Sequence, residues 1–240
     1  MPVRVFFSKE LSKSRKERLF EAGFEPVDIP LIRTEPVHFD RSSVLRFFPD
    51  FILLSSRNGV RYFFSEVRFE DVSGASFIAV GSSTADELIK VGVKPLVPDK
   101  FSGEGLIDLL SKFDLEGKKF LIVRPKVARS IVSEFLRRKK ARVKEVIVYQ
   151  TLFNSSVKEE LIKELKRRFD FFVFTSPSTF RSYLDLSGEL GRESIQEAKV
   201  IPIGDVTAKA IDGEGFKIWR IPEKFTLDGV IDILLEWKSK

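Results

Sequence analysis

Short apolar runs punctuate the chain at Val3–Phe7, Phe51–Leu54, 77–80, 120–123, Phe171–Phe174 and 200–203. None alternates apolar with polar residues, so each reads as a strand covered on both faces. Between them, apolar residues recur at three- and four-residue spacing. That spacing predicts helices over 14–22, from about Arg57, and over 84–91, 105–112, 130–138, 157–168, 179–186, 207–211 and 227–237. Gly23 and Gly92 close two of them. Further strands are expected at 27–32 (interrupted by Pro30), 96–97, 143–149 and 218–221. Buried strands alternating with helices predict an α/β protein of parallel sheets flanked by helices.

The pattern occurs twice. Residues 51–64 align with 171–184, and Val80-Gly81-Ser82-Ser83-Thr84-Ala85 aligns with Ile203-Gly204-Asp205-Val206-Thr207-Ala208. Val97-Pro98-Asp99-Lys100-Phe101-Ser102-Gly103-Glu104-Gly105 aligns with Ile221-Pro222-Glu223-Lys224-Phe225-Thr226-Leu227-Asp228-Gly229, and the offset drifts only from 120 to 124 residues. A weaker match pairs 24–34 with 141–151. One duplication, with no short solenoid period, implies two similar domains with a cleft between them. Taken alone, the repeat would divide the chain once, near Gly117. The extended polar stretches Ile32-Arg33-Thr34-Glu35-Pro36 and Tyr149-Gln150-Thr151 are the best linker candidates.

Composition narrows the chemistry. With 240 residues, 43% hydrophobic and 32% charged, the chain has enough material for two cores. It has no cysteine and a single histidine, His38, so no thiolate nucleophile is available and no metal site is expected. The net charge of +6 points to an anionic partner. The basic clusters 137–140 and 166–168 fall at predicted helix ends, where the helix dipole favours cations. No basic motif interleaved with aromatics supports nucleic acid. Residues 1–20 carry no apolar signal core, and no run is long enough to span a bilayer, so a cytoplasmic protein without a membrane partner is expected. No long exposed apolar stripe is visible, which makes a monomer the default. Two asparagines, two glutamines and one methionine beside abundant Lys, Glu and Arg resemble thermophile usage.

The repeated blocks place a strand end, a small polar residue and a helix start in succession. Ser56 and Ser176 stand at N-cap positions, with Pro177 suited to the first helical residue. Ser82 and Asp205, after Gly81 and Gly204, and Ser102 and Thr226 are expected to do the same. Each start offers free backbone N–H groups and the positive end of a dipole. Plain capping explains any one of them. Several at the carboxyl ends of parallel strands would suit a ligand bearing many carboxylates or phosphates. No GxGxxG or GxxxxGK[ST] motif supports a dinucleotide or P-loop site.

The blocks Phe174-Thr175-Ser176-Pro177-Ser178-Thr179, Ile203-Gly204-Asp205-Val206-Thr207-Ala208, Val148-Tyr149-Gln150-Thr151, Ala79-Val80-Gly81-Ser82-Ser83-Thr84-Ala85 and Phe101-Ser102-Gly103-Glu104-Gly105-Leu106 resemble those of uroporphyrinogen-III synthases, in order and over nearly the whole chain. The resemblance implies two domains, 1–34 with 152–240 and 36–151, joined by a two-stranded connector. It implies that hydroxymethylbilane, a linear tetrapyrrole with eight carboxylates, loses water and closes to uroporphyrinogen III with ring D inverted through a spiro intermediate. No cofactor is needed. Left alone, the substrate closes to the type I isomer, so the protein's task is positioning.

Tyr149 matches the family's candidate acid. A phenol of pKa about 10 is protonated at neutral pH and could donate to the departing hydroxyl; the bland alternative is a strand tyrosine packed by its ring. Its repeat mate is Ile32. The implied substrate-binding positions are Ser176, Ser178, Thr207 and Gly204 in the later half, and Ser56, Asn58, Gly81, Ser82 and Ser102 in the earlier one. Phe7-Ser8-Lys9 stands where relatives often carry Thr-Arg-Pro, with Lys9 a substitute for the arginine. Arg57 replaces a common proline. Asp205, a negative charge near a polyanion site, is expected to cap its own helix. The competing readings are a non-enzymatic two-lobed binding or regulatory module for an anionic metabolite and a nucleotide-dependent enzyme of similar fold. The second lacks phosphate loops.

Overall fold

The computed structural model describes residues 2–128 and 131–239. In chain order its elements are β1 (Val3–Phe7), α1 (Lys13–Glu21), β2 (Phe24–Asp28), β3 (Ile32–Pro36), α2 (Arg41–Phe47), β4 (Phe51–Leu54), α3 (Arg57–Phe64), β5 (Ser76–Ala79), α4 (Ser82–Lys90), α5 (Gly103–Leu110), β6 (Lys119–Pro125), α6 (Ile131–Arg138), β7 (Arg142–Phe153), α7 (Lys158–Leu165), β8 (Phe171–Phe174), α8 (Pro177–Gln196), β9 (Lys199–Pro202), α9 (Asp205–Asp212) and α10 (Leu227–Lys238). The helix start expected at Ser130, and the ends Met1 and Lys240, lie outside the described residues.

The chain forms two compact units, one of Met1–Arg33 with Leu152–Lys240 and one of Thr34–Thr151. The first holds a parallel sheet ordered β2-β1-β8-β9, and Ile218 adds a bridge to Val200. The second holds β3-β7-β6-β4-β5, in which β7, β6, β4 and β5 pair in parallel and Leu96 bridges Ile78. The two plans are one. β8, β9, α9 and α10 correspond to β4, β5, α4 and α5, while β1, α1 and β2 correspond to β6, α6 and β7. In the first unit the β-α-β piece precedes the rest in the chain; in the second it follows. The units are permuted copies.

Successive residues of each central strand feed opposite faces, as the pleat requires. Ile52 and Leu54 enter one cluster with Leu121 and Val123, while Leu53 enters another with Phe120 and Ile122. In the first unit Phe172 and Phe174 pack with Phe6, Phe180 and Tyr183, while Phe171 and Val173 pack with Val5 and Phe7. Both sheets are therefore buried on both sides, the property read from the unbroken apolar runs. Each fully buried phenylalanine contributes about 1.5–3 kcal/mol.

Several expectations are corrected. The strand at 27–32 is two strands, β2 ending at Asp28 and β3 starting at Ile32. The two extended stretches read as linkers lie in β3 and the last residues of β7, with no correction needed. α2 was not expected; Asp40 caps it by accepting the Ser43 N–H. α8 runs to Gln196, far past residue 186, with a break in its backbone at Gly188. Gly23 and Gly92 do close α1 and α4, with φ of 78° and 84° that favour glycine.

Candidate active site

In the 34–151 unit, β4 delivers the chain to Ser56, whose extended backbone makes it the N-cap of α3. Its Oγ accepts the Gly59 N–H at 3.0 Å and lies 2.9 Å from the Tyr149 hydroxyl. Tyr149 comes from β7 and is 7% exposed. Its ring stacks on Tyr62, with centroids 5.6 Å apart and planes 25° apart. The Tyr62 hydroxyl donates to the Thr34 carbonyl at 2.9 Å and lies 3.1 Å from Thr34 Oγ1, which the Asn58 amide also approaches at 3.5 Å. Ser56, Asn58 and Tyr149 are thus brought together. Tyr62 and Thr34 join them, although the sequence reading placed neither in the site. The packed-ring reading of Tyr149 and a hydroxyl held for chemistry coexist here.

In the other unit Ser176 occupies the place of Ser56 and caps α8 in a reciprocal box. Its Oγ accepts the Thr179 N–H, and Thr179 Oγ1 accepts the Ser176 N–H, each at 3.1 Å, with Pro177 at the start of the helix. Ser8, buried at the end of β1, donates to Thr179 Oγ1 at 3.1 Å and accepts the Thr175 N–H at 3.1 Å. Ser178 follows, half-buried, and Lys9 is exposed beside Ser8. The strand registers equate Ser8 with Val123, and the repeat equates Thr179 with Gly59. The second unit therefore lacks both hydroxyls that engage the cap in the first, and its cap serine meets a tyrosine.

The starts of α4 and α9 differ from the reading above. Gly81 and Gly204 are the N-caps; Ser82 and Asp205 are the first helical residues. Asp205 therefore does not cap its helix. It is exposed in the first turn, where the dipole favours a carboxylate. At Gly204 a ring crowds the cap, while at Gly81 the matching ring leaves room for a Cβ. A Cβ on Gly204 would lie 2.9 Å from Phe225, and one on Gly81 would lie 3.8 Å from Phe101. Thr207 and its repeat mate Thr84, the third residues of these helices, are buried at 3% and 2% exposure. Their N–H groups bond to the Gly204 and Gly81 carbonyls at 3.1 and 3.0 Å. Thr84 was missed, although its register with Thr207 was a sufficient signal. Ser102 and Thr226 cap α5 and α10, accepting the Gly105 and Gly229 N–H groups at 3.1 Å each.

Each unit thus gathers three helix starts at the carboxyl ends of its central strands, and one adds a tyrosine hydroxyl. Such a surface can bind carboxylates through backbone N–H groups and present one proton donor. Among the described residues no group of three or more His, Asp or Glu could hold a metal ion, and no helix is long and apolar enough to cross a membrane.

The model of the family described as uroporphyrinogen-III synthase HemD matches residues 13–232. A curated relative from Archaeoglobus fulgidus is 30% identical over 240 residues, covering 100% of this chain and 99% of its own. The porphyrin biosynthesis protein HemD of Ruminiclostridium josui is 28% identical over 250 residues, covering 98% of this chain and 48% of its own. The crystal structure of uroporphyrinogen-III synthetase from Helicobacter pylori shares the fold, with a TM-score of 0.69 at 19% identity over 99% of this chain and 100% of that one. With its α/β architecture and a match spanning almost its whole length, the chain belongs to the uroporphyrinogen-III synthase family.

Proposed function

We propose that this chain cyclises hydroxymethylbilane to uroporphyrinogen III, and that the Tyr149–Ser56 pair is the observation that carries the chemistry. The Tyr149 phenol gives its proton to the departing hydroxyl, which leaves as water. The resulting electrophilic carbon is attacked by the substituted α-carbon of ring D, giving the spiro intermediate. The bond from that α-carbon to its original bridging methylene breaks, and the freed methylene bonds to the unsubstituted α-carbon of ring D, closing the macrocycle with ring D inverted. The proton lost from the latter carbon restores the phenol. The helix starts at Ser56, Gly81, Ser102, Ser176, Gly204 and Thr226 bind substrate carboxylates, with Asn58, Ser82, Ser178 and Thr207 lining the same surfaces and Lys9 adding charge. Their task is to hold the chain of pyrroles where inversion outruns direct closure. In this reading the domains are 1–34 with 152–240 and 36–151, β3 with the end of β7 is the connector, and the protein acts as a monomer in the cytoplasm.

The deciding experiment supplies purified protein with hydroxymethylbilane and separates the oxidised products by isomer. Mainly type III product is expected. Only type I product, at the spontaneous rate, would overturn the reading and favour a binding module.

A further inference from the structure

The repeated blocks around Phe101 and Phe225 each set an exposed phenylalanine between a turn and a helix cap. In each copy the backbone makes a three-residue turn centred on the phenylalanine. Ser102 N–H bonds to the Lys100 carbonyl at 2.9 Å, and Thr226 N–H to the Lys224 carbonyl at 2.7 Å. Neither phenylalanine has a positive φ, so both turns are of the inverse γ type. Ser102 and Thr226 then cap their helices. Gly105 and Gly229 complete the lock, since a Cβ on either would lie 2.2 Å from the lysine carbonyl that closes the turn. The backbone at the apex is held, and the ring it carries is 62% exposed at Phe101 and 55% at Phe225. On one side it rests against the glycine cap of the neighbouring helix. Gly204 has extended backbone, open to any residue, so what excludes a side chain there is the ring. Both units carry the same arrangement, an apolar ring facing water beside backbone N–H groups that suit carboxylates.

Resting on the activity proposed above, we infer that Phe101 and Phe225 are stacking platforms for pyrrole rings of the substrate, positioning residues that hold a ring while the adjacent helix start holds its carboxylate. Aromatic faces prefer offset or edge contact with one another, and the pairing tolerates which pyrrole is presented. Phe101→Leu and Phe225→Leu each remove the π face and keep bulk. Each is expected to raise KM about three- to tenfold with kcat within about twofold, and to lower the type III share at substrate below KM. Phe101→Trp and Phe225→Trp should restore KM, while Phe20→Leu, at a ring 56% exposed on α1, should leave it unchanged. Thermal melting of every variant tracks the fold. Wild-type KM in both leucine variants would overturn the platform while leaving the activity standing. So would a fall in kcat and melting temperature that tryptophan fails to reverse. If the wild-type protein gives only type I product, the activity and the platform fall together.

Discussion

Tyr149→Phe separates chemistry from packing with little ambiguity. Phenylalanine keeps the ring, its burial and its stack on Tyr62. It removes only the hydroxyl that meets Ser56 Oγ at 2.9 Å. Ser56 still accepts the Gly59 N–H, so its oxygen is not orphaned. The stability cost is then that of one hydrogen bond, about 0.5–1.5 kcal/mol. General acid catalysis is worth about 10²- to 10⁴-fold, so type III turnover should fall at least about tenfold even where background routes contribute. Ser56→Ala loses the cap as well as the bond and should cost about 1–2 kcal/mol in urea unfolding. The double variant should cost less than the sum of the two, because they share one bond. The assay is isomer-resolved turnover beside urea denaturation. Unchanged type III turnover in Tyr149→Phe removes the hydroxyl from the mechanism. A stability loss above about 3 kcal/mol would mean that the hydroxyl is structural.

Arg4 is 5% exposed, pairs with Glu25 at 3.0 Å and with Glu164, donates to the Arg167 carbonyl at 2.9 Å, and lies 4.1 Å over the Phe169 ring. Both carboxylates keep about a quarter of their surface, so Arg4→Met should cost about 2–3 kcal/mol, below the range for a fully buried pair; an unchanged urea midpoint would contradict this. The Arg61 guanidinium, opposed by burial and helped by Lys90, holds the Glu87 carboxyl below its usual range. A lowered folded-state pKa contributes stability that is present above the unfolded value, about 4.3, and lost as pH falls through the folded one. The urea midpoint should therefore drop below about pH 4, and Glu87→Gln should shrink that drop; an identical acid limb in the variant would refute the assignment. Gly229→Ala places a methyl 2.2 Å from the Lys224 carbonyl and should cost about 2–3 kcal/mol, whereas Gly74→Ala, with no atom within 4 Å, should stay within about 0.5 kcal/mol by thermal melting.

Most strands were legible because they are buried on both faces and carry unbroken apolar runs, such as 51–54 and 171–174. The helix starts were legible through Ser56, Ser102, Ser176 and Thr226, whose side chains cap as their types prefer. At Gly204 the rule misled because a residue distant in sequence, Phe225, decides what fits at the cap; at Gly81, where Phe101 leaves room for a Cβ, nothing in the structure explains the glycine. The pattern predicts α8 only to residue 186, just before Gly188. Gly188 does break the backbone, at φ 58°, but the helix resumes, and the Tyr183 hydroxyl ties it by donating to the Gly191 carbonyl at 3.0 Å. Thr34 and Tyr62 were not placed in the site because their link spans 28 residues and rests on no motif. Tyr149 was visible through resemblance alone; its partner Ser56, 93 residues away, emerged only in three dimensions.

The permuted order of the two units has a consequence for synthesis on the ribosome. The 34–151 unit is continuous, so its sheet can close as soon as β7 has emerged. β1 and β2 are made first, yet β1 must wait for β8, and Val5 pairs with Phe171 only after 166 further residues. During that wait one edge of β1 is unpaired, and its apolar side chains Val5, Phe6 and Phe7, buried in the finished protein, lack their cover. The N-terminal segment thus waits longer than any other part of its unit for its central partner strand. Aggregation of stalled or truncated chains should be governed by β1.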